Sequence, residues 1–272
     1  MALLWCSLYI VMLFVLPNCH SYRRLSFFRK RSIVTKSGMQ FSLSDEEEEL
    51  FDTVRRAVKD QKLGTTVRVA GGWVRDKLMG LSGKNDIDFA LDNLSGSTFA
   101  KALAGWYEMK KLPRLKYHIV QFNPDKSKHL ETATMRLGNF DIDVVQLRTD
   151  TYSETSRIPQ VNYGTPLEDA LRRDLTINSL FYNIHTRDIE DYTGRGLQDL
   201  QRRIICTPLP PLVTLRDDPL RAFRAVRFAC RLNFTMDEEL EKACVAPVVH
   251  AALVNKVGTL VCVYIVSPIT SR

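Results

Sequence analysis

No aspartate or glutamate occurs in the first 44 residues, although six basic residues do: Arg23, Arg24, Arg29, Lys30, Arg31 and Lys36. The formal charge of +7 over 272 residues therefore sits mostly in this leader. The rest of the chain is near neutral, about +1. That excludes a uniformly basic nucleic-acid binder, so any such surface in the body has to be a local patch. The six cysteines include no C-x-x-C pair and no Cys/His spacing of a metal site. A disulfide framework and a structural zinc are both unexpected. Cys206, Cys230 and Cys244 lie in or near apolar runs and read as small reduced core residues. Internal repeats and low-complexity tracts are also lacking. A hydrophobic content of 45% is ordinary for a globular protein with a core, held in one large domain or two small ones.

The chain opens on MALLWCSLYIVMLFVLP, an uncharged apolar run, followed by arginine-rich sequence. Three readings compete. A secretory signal would have this apolar segment but also a basic start, which is missing. A membrane anchor needs ~20 apolar residues, and this run falls short. A mitochondrial presequence is basic, acid-free and serine-containing, as residues 20–37 are. Organelle import is the favoured expectation for residues 1–44, with no membrane association of the mature form. Met39, just ahead of the acidic run from Ser44 to Glu49, offers a second start for a leaderless cytosolic product.

Periodicity predicts a helix from Ser44 to about Gly64, with Leu50, Phe51, Val54 and Val58 on one face. A strand at 67–70, a Gly71-Gly72 turn and a helix at 73–79 follow. Strands are expected at 86–91, 117–122, 131–136 and 140–147, and a helix at 97–107. Polar residues 123–129 read as a loop. From about Leu167 helices dominate: 169–180 as one helix, 217–232 as another, and a further one beginning at Asp237. A short strand pair and a turn at Thr193-Gly194 lie between them. The expected class is α+β, a small mixed sheet with helices followed by a helical unit.

The chemistry is concentrated in aspartates. In a strand, residues two apart face the same way, so Asp86 and Asp88 project together while Ile87 and Phe89 face the core. Asp141 and Asp143 repeat the device. Paired carboxylates repel unless a cation lies between them, and hard oxygen ligands on a rigid strand suit Mg²⁺. A single Asp-x-Asp would more often be a solvated strand face; two such strands, one preceded by a glycine turn, favour a metal site. Gly71 and Gly72 allow an anion to approach the backbone at a helix start, and Arg75 lies in the first turn. The plainer reading is a tight strand–helix connection with Arg75 paired to Asp76 or Glu108.

Together these segments resemble a known family. Gly71-Gly-Trp-Val-Arg-Asp76 followed by Asp86-Ile-Asp88 is similar to the first motif of the polymerase-β-like nucleotidyltransferases. More narrowly, it resembles the class II CCA-adding enzymes (tRNA nucleotidyltransferases) and their poly(A) polymerase relatives. Arg172-Arg-Asp-Leu-Thr-Ile-Asn178 resembles the second motif, the stretch from Asp191 to Leu200 the third, and the stretch from Asp217 to Phe228 the fourth. Ser127-Lys-His-Leu-Glu-Thr-Ala133 and the Asp141–Asp143 strand resemble the eukaryotic branch.

The resemblance implies a polymerase-β-like nucleotidyltransferase head over 45–206 and a partial all-helical neck over 207–257 that carries a nucleotide-selecting helix. It implies Mg²⁺ on Asp86, Asp88 and Asp143, the catalytic acids. It implies nucleotide contacts from Gly71, Gly72, Arg75, Arg173, Asp174 and Asn178, with Asp174 on the ribose hydroxyl. In the fourth motif, Asp218, Arg221, Arg224 and Arg227 recur every three residues, so they are expected to stack along one side of a helix. Asp218 and Arg221 would imitate a Watson–Crick edge for C or A. Taken alone, that segment reads equally as an amphipathic core helix. Asp217 stands where the family carries glutamate. The implied activity is template-independent addition of CCA to tRNA from CTP and ATP. A poly(A)- or A-adding enzyme, or an inactive truncated isoform that only binds nucleotide or RNA, is the alternative. Family members continue into helical body and tail, whereas residues 258–272 form an apolar, β-prone tail without charge up to Ser271. A truncated isoform, or a gene model that runs into an intron, is the expectation on that ground.

Overall fold

The computed structural model describes residues 31–34, 38–81, 85–120, 131–152, 156 and 158–257. The apolar start, most of the basic leader, the 123–129 loop and the 258–272 tail lie outside the described residues. Strand β1 (Arg31–Val34) pairs antiparallel with β2 (Gln40–Leu43). Phe41 is fully buried, its ring 4.9 Å from that of Tyr182 and 5.9 Å from that of Trp73. The packed body thus reaches back at least to β2, into the stretch read as leader.

Helix α1 (Asp45–Asp60) starts on a capping box: Ser44 Oγ accepts from Glu47 N–H, and Glu47 Oε2 accepts from Ser44 N–H. The same Glu47 carboxylate takes Lys77 Nζ at 2.6 Å, tying α1 to helix α2 (Gly72–Leu78). The central sheet also uses β3 (Val67–Ala70), β4 (Asp86–Leu91), β5 (Tyr117–Val120), β6 (Thr132–Leu137), β7 (Phe140–Gln146), β10 (Phe181–Asn183) and β11 (Asp188–Glu190). Its order is β11-β10-β3-β4-β7-β6-β5. Only β4 and β7 run parallel; the other neighbours are antiparallel. Helix α3 (Gly96–Met109) supplies the crossover and packs on β6 and β7. It crosses so closely that a methyl added at Gly96 would lie 2.3 Å from the Val144 carbonyl oxygen.

A second antiparallel pair, β8 (Arg148–Thr151) with β9 (Gln160–Tyr163), branches off after β7. Helix α4 (Pro166–Leu171) follows, again on a capping box, Thr165 with Glu168. After β11 come α5 (Gly196–Arg202), β12 (Ile204–Ile205), α6 (Pro211–Asp217), α7 (Leu220–Leu232), β13 (Thr235–Met236), α8 (Glu238–Cys244) and α9 (Pro247–Val257). One continuous apolar core runs from Phe41 through the sheet to Val249. Among the described residues, no helix is long and apolar enough to cross a membrane.

Two expected helices are broken. The stretch 169–180 leaves the helix after Leu171, makes a 3-10 turn at Thr176–Asn178 and enters β10. The Asp174 carboxylate accepts the Leu175 N–H, an alternative partner that competes with helix continuation. The Arg172 carbonyl, which a continuing helix would use, is taken by Arg221 Nη2 at 2.6 Å. The stretch 217–232 breaks at Asp218, which is extended (φ −130°, ψ 96°) because the Pro219 ring disfavours a helical residue before it.

Candidate active site

The registered pairing of β4 and β7 sets Asp86 opposite Asp141 and Asp88 opposite Asp143. Ile87, Phe89, Ile142 and Val144 are buried on the core side, so all four carboxylates share the exposed face. They are not equivalent. Arg136 on β6 lies 3.9 Å from Asp141, an exposed and weak pair. The Asp143 carboxyl is pushed above its ordinary value by burial, then by the charges of Asp86 and Asp141. Like charges held on one face repel, and a divalent ion would relieve that repulsion. The donor set of hard carboxylate oxygens fits one. Among the described residues, no group of three or more His, Cys, Asp or Glu side chains is already set at the spacing of a metal site.

The glycine turn is built by its surroundings. Gly71 has φ +72° and ψ −126°, a conformation that a side chain resists, and its N–H donates to Leu180 O. A methyl there would stand 3.0 Å from Arg173 Nη1. Arg75, 1% exposed, is a strut. Its Nε and Nη2 donate to Asp76 Oδ1 at 2.8 and 2.6 Å, its Nη1 donates to Asn178 Oδ1, and its guanidinium lies 4.9 Å over the Phe228 ring. The pairing with Asp76 is the plainer of the two readings of Arg75.

The broken segment after α4 gathers polar groups. Asp174 Oδ1 accepts from Leu175 N–H and from Asn178 Nδ2, at 2.8 and 3.1 Å. Its Oδ2 accepts from Arg224 Nε at 2.7 Å and lies 2.6 Å from Arg224 Nη2. Arg173 donates from Nε to Asp169 Oδ1 at 3.0 Å and lies 5.0 Å over the Phe181 ring. Asp169 itself is buried. Burial alone would raise its carboxyl, but Arg173 and Arg172 overcome that and hold it below the ordinary value.

Asp218, ahead of α7 and not on it, accepts the Leu220 N–H. The expected single stripe of Asp218, Arg221, Arg224 and Arg227 therefore does not form. A spacing of three also drifts around a helix of 3.6 residues per turn, which carries Arg227 away from the face of Arg221. Arg224, Phe228 and Arg231, four and three apart, share the productive face.

These elements enclose a cavity of about 540 Å³. Of the expected nucleotide residues, Gly71, Gly72, Arg75, Arg173, Asp174, Asn178, Asp218, Arg221 and Arg224 line it, with Asp88 at one side. Asp86, Asp143 and Arg227 do not; the first two stand beside Asp88 on the acidic strands. Sequence reasoning missed Arg148, Asp150, Tyr152, Arg172, Phe228 and Arg231 in the lining. Arg148 and Asp150, two apart on β8 with opposite charges 3.2 Å apart, follow the same one-face rule as the aspartate pairs. That spacing was the available signal.

The central mixed sheet with its helices, carrying acid-bearing parallel strands beside a glycine turn, matches the polymerase-β-like nucleotidyltransferase head. The family described as "Poly A polymerase head domain" matches residues 67–206, and the chain belongs to that family. Enzymes of this family use divalent metal ions.

Among curated proteins, the chain is 48% identical over 197 residues to "CCA tRNA nucleotidyltransferase, mitochondrial" of Saccharomyces cerevisiae, covering 71% of this chain and 36% of that protein. It is 43% identical over 233 residues to "tRNA nucleotidyltransferase cca1" of Schizosaccharomyces pombe, covering 83% and 46%. Among solved structures it resembles a tRNA nucleotidyltransferase complexed with a primer tRNA and an incoming ATP analog. That match has 28% identity and a TM-score of 0.56, and covers 74% of this chain and 51% of that one. The chain thus spans about half or less of the length of these relatives.

Proposed function

We propose that the chain carries the head and part of the neck of a CCA-adding tRNA nucleotidyltransferase, with 45–206 as head and 207–257 as neck. In this reading it transfers CMP and AMP from CTP and ATP to a tRNA 3′ end and releases pyrophosphate. The observation that carries the proposal is the alignment of Asp86 and Asp88 with Asp141 and Asp143 on two parallel strands, beside a cavity rich in arginine. The tRNA and nucleotides named for its relatives agree with that chemistry.

Asp86, Asp88 and Asp143 would hold Mg²⁺, which when bound supplies positive charge against the reacting phosphate and the departing pyrophosphate. Gly71 and Gly72 let phosphate oxygens approach the backbone. Asp174, oriented by Asn178 and Arg224, presents an acceptor to the ribose hydroxyl. Asp218 and Arg221 meet the base edge, so that protein groups stand in for a template. The mitochondrial naming of the yeast relative supports import of the long form, with Met39 as the start of a cytosolic one. A chain beginning at Met39 retains Phe41 and Leu43.

The test is incubation of the purified chain with tRNA ending before CCA, after C or after CC, and with each labelled NTP in turn. CTP incorporated first, followed by a single A, supports CCA addition. Repeated or sole A addition supports the poly(A) or A-adding alternative. Asp88→Ala should abolish transfer and spare tRNA binding; retained transfer sinks the metal assignment. No transfer by this chain, with transfer restored by a C-terminal extension of family type, would favour nucleotide binding without catalysis.

A further inference from the structure

The four terminal N–H groups of Arg221 are all engaged. Nη1 donates to Thr214 Oγ1 and, at 3.5 Å, to the Arg173 carbonyl. Nη2 donates to the Arg172 carbonyl at 2.6 Å and to the Tyr152 hydroxyl at 2.9 Å. A guanidinium in this state has no spare terminal hydrogen for a nucleobase. For a base edge to take a terminal N–H of Arg221, one of the four acceptors has to yield. Two are main-chain carbonyls of the turn that ends α4. Thr214 is wholly buried inside α6. Tyr152 is the one side-chain acceptor that borders the cavity.

The tyrosine is also well placed to hold its partner. Its ring lies 5.6 Å from the Arg221 guanidinium carbon, so it supports the cation through its face as well as its hydroxyl. It follows directly on β8, whose base is fixed. Asp150, its side chain 3% exposed, lies 3.2 Å from Arg148 and 3.6 Å from Arg172. A methyl added at Gly164 would meet the Arg148 carbonyl carbon at 2.6 Å, so the hairpin closes tightly there. Burial pushes the Tyr152 phenol above its ordinary value, outweighing the Arg221 charge. It therefore keeps its proton at neutral pH.

We infer that Tyr152 is a positioning residue for base selection: its hydroxyl competes with the nucleobase for Nη2 of Arg221, while its ring keeps that guanidinium facing the cavity. This rests on the cavity being the nucleotide site. The hydroxyl and the ring then act in opposite directions. Tyr152→Phe removes the competitor and keeps the ring. Tyr152→Ala removes both.

The experiment is calorimetric titration of CTP, ATP, GTP and UTP, with MgCl₂ present, into the 272-residue chain and its variants. Thermal unfolding checks that each variant is folded. Tyr152→Phe should tighten CTP and ATP by roughly two- to tenfold, the ratio set by one net hydrogen bond. Tyr152→Ala should weaken them. In an Arg221→Ala background, Tyr152→Phe should change nothing. A tyrosine that merely props the cavity wall would make the two substitutions shift affinity in the same direction, or leave it alone; either result overturns the inference. If the unaltered chain binds none of the four nucleotides, the functional reading fails and this inference with it. If it binds CTP and Tyr152→Phe does not tighten that binding, only the role of Tyr152 fails.

Discussion

Asp169→Asn is the sharpest test of what holds the cavity floor. The Asp169 carboxylate, 1% exposed, accepts from the Arg148 N–H and from the side chains of Arg172 and Arg173. Asparagine keeps the shape but removes the charge and turns one acceptor into a donor that faces a guanidinium. Removing one partner of a buried ion pair costs about 3–5 kcal/mol. Arg172 and Arg173 keep 16% and 19% of their side-chain surface in solvent, so hydration offsets part of that loss. We expect about 2–3 kcal/mol, which at this size is roughly 5–10 °C in Tm. The pH dependence has a definite sign. The folded carboxyl is held below its ordinary value of 3.8, so its stabilisation is present above that value and is lost as pH falls through the lower, folded value. Calorimetric scans from pH 7 down to about pH 3 should show the gap between the unaltered chain and the variant closing below about pH 4. A gap that holds constant or widens in acid, or a variant as stable as the parent at pH 7, would refute the electrostatic account.

Gly71→Ala should cost about 1–3 kcal/mol in backbone strain and also weaken CTP binding, because the methyl presses on Arg173. Gly64→Ala, with a positive φ but nothing within 4 Å, should lower Tm alone, so equal binding losses at both positions would contradict this. Gly96→Ala should destabilise by about 2–3 kcal/mol in denaturant titration, since α3 has to lift from the β7 backbone. The Cys206 thiol, buried and pushed up to about 12, should stay unlabelled by a disulfide reagent at pH 8 until the chain is denatured, as read by peptide mass mapping. Rapid native labelling there would show that the site opens.

The sheet and the acid-bearing strands were legible in the sequence because alternation over β4, β6 and β7 is strong and each core face is apolar. The ends of helices were not. In the 169–180 stretch the periodicity continues, yet two carbonyls beyond α4 are claimed by an arginine from α7, nearly fifty positions on in the chain. No local pattern carries that information. The break at Asp218 was readable, because a proline follows it. The β8–β9 hairpin was overlooked because Arg148-Thr-Asp-Thr151 has no apolar face to alternate against. Asp150 pairs with Arg172, and the Arg148 backbone N–H donates to Asp169; only the folded chain brings these near. The resemblance implied nucleotide contacts for the arginines of the second and fourth motifs. The extent to which they hold one another's carboxylates and carbonyls appears only in three dimensions.

The lone parallel ladder in the sheet has a bearing on biosynthesis. Its two strands bracket everything from Asp92 to Asn139, so the aspartates become neighbours only after that whole stretch has left the ribosome and folded across. Closing a span of that length is entropically slow compared with zipping adjacent hairpins. A nascent chain can form β3 with β4 early and still lack the paired acids. The juxtaposition of Asp86 and Asp88 with Asp141 and Asp143 should therefore appear abruptly during synthesis, once β7 docks.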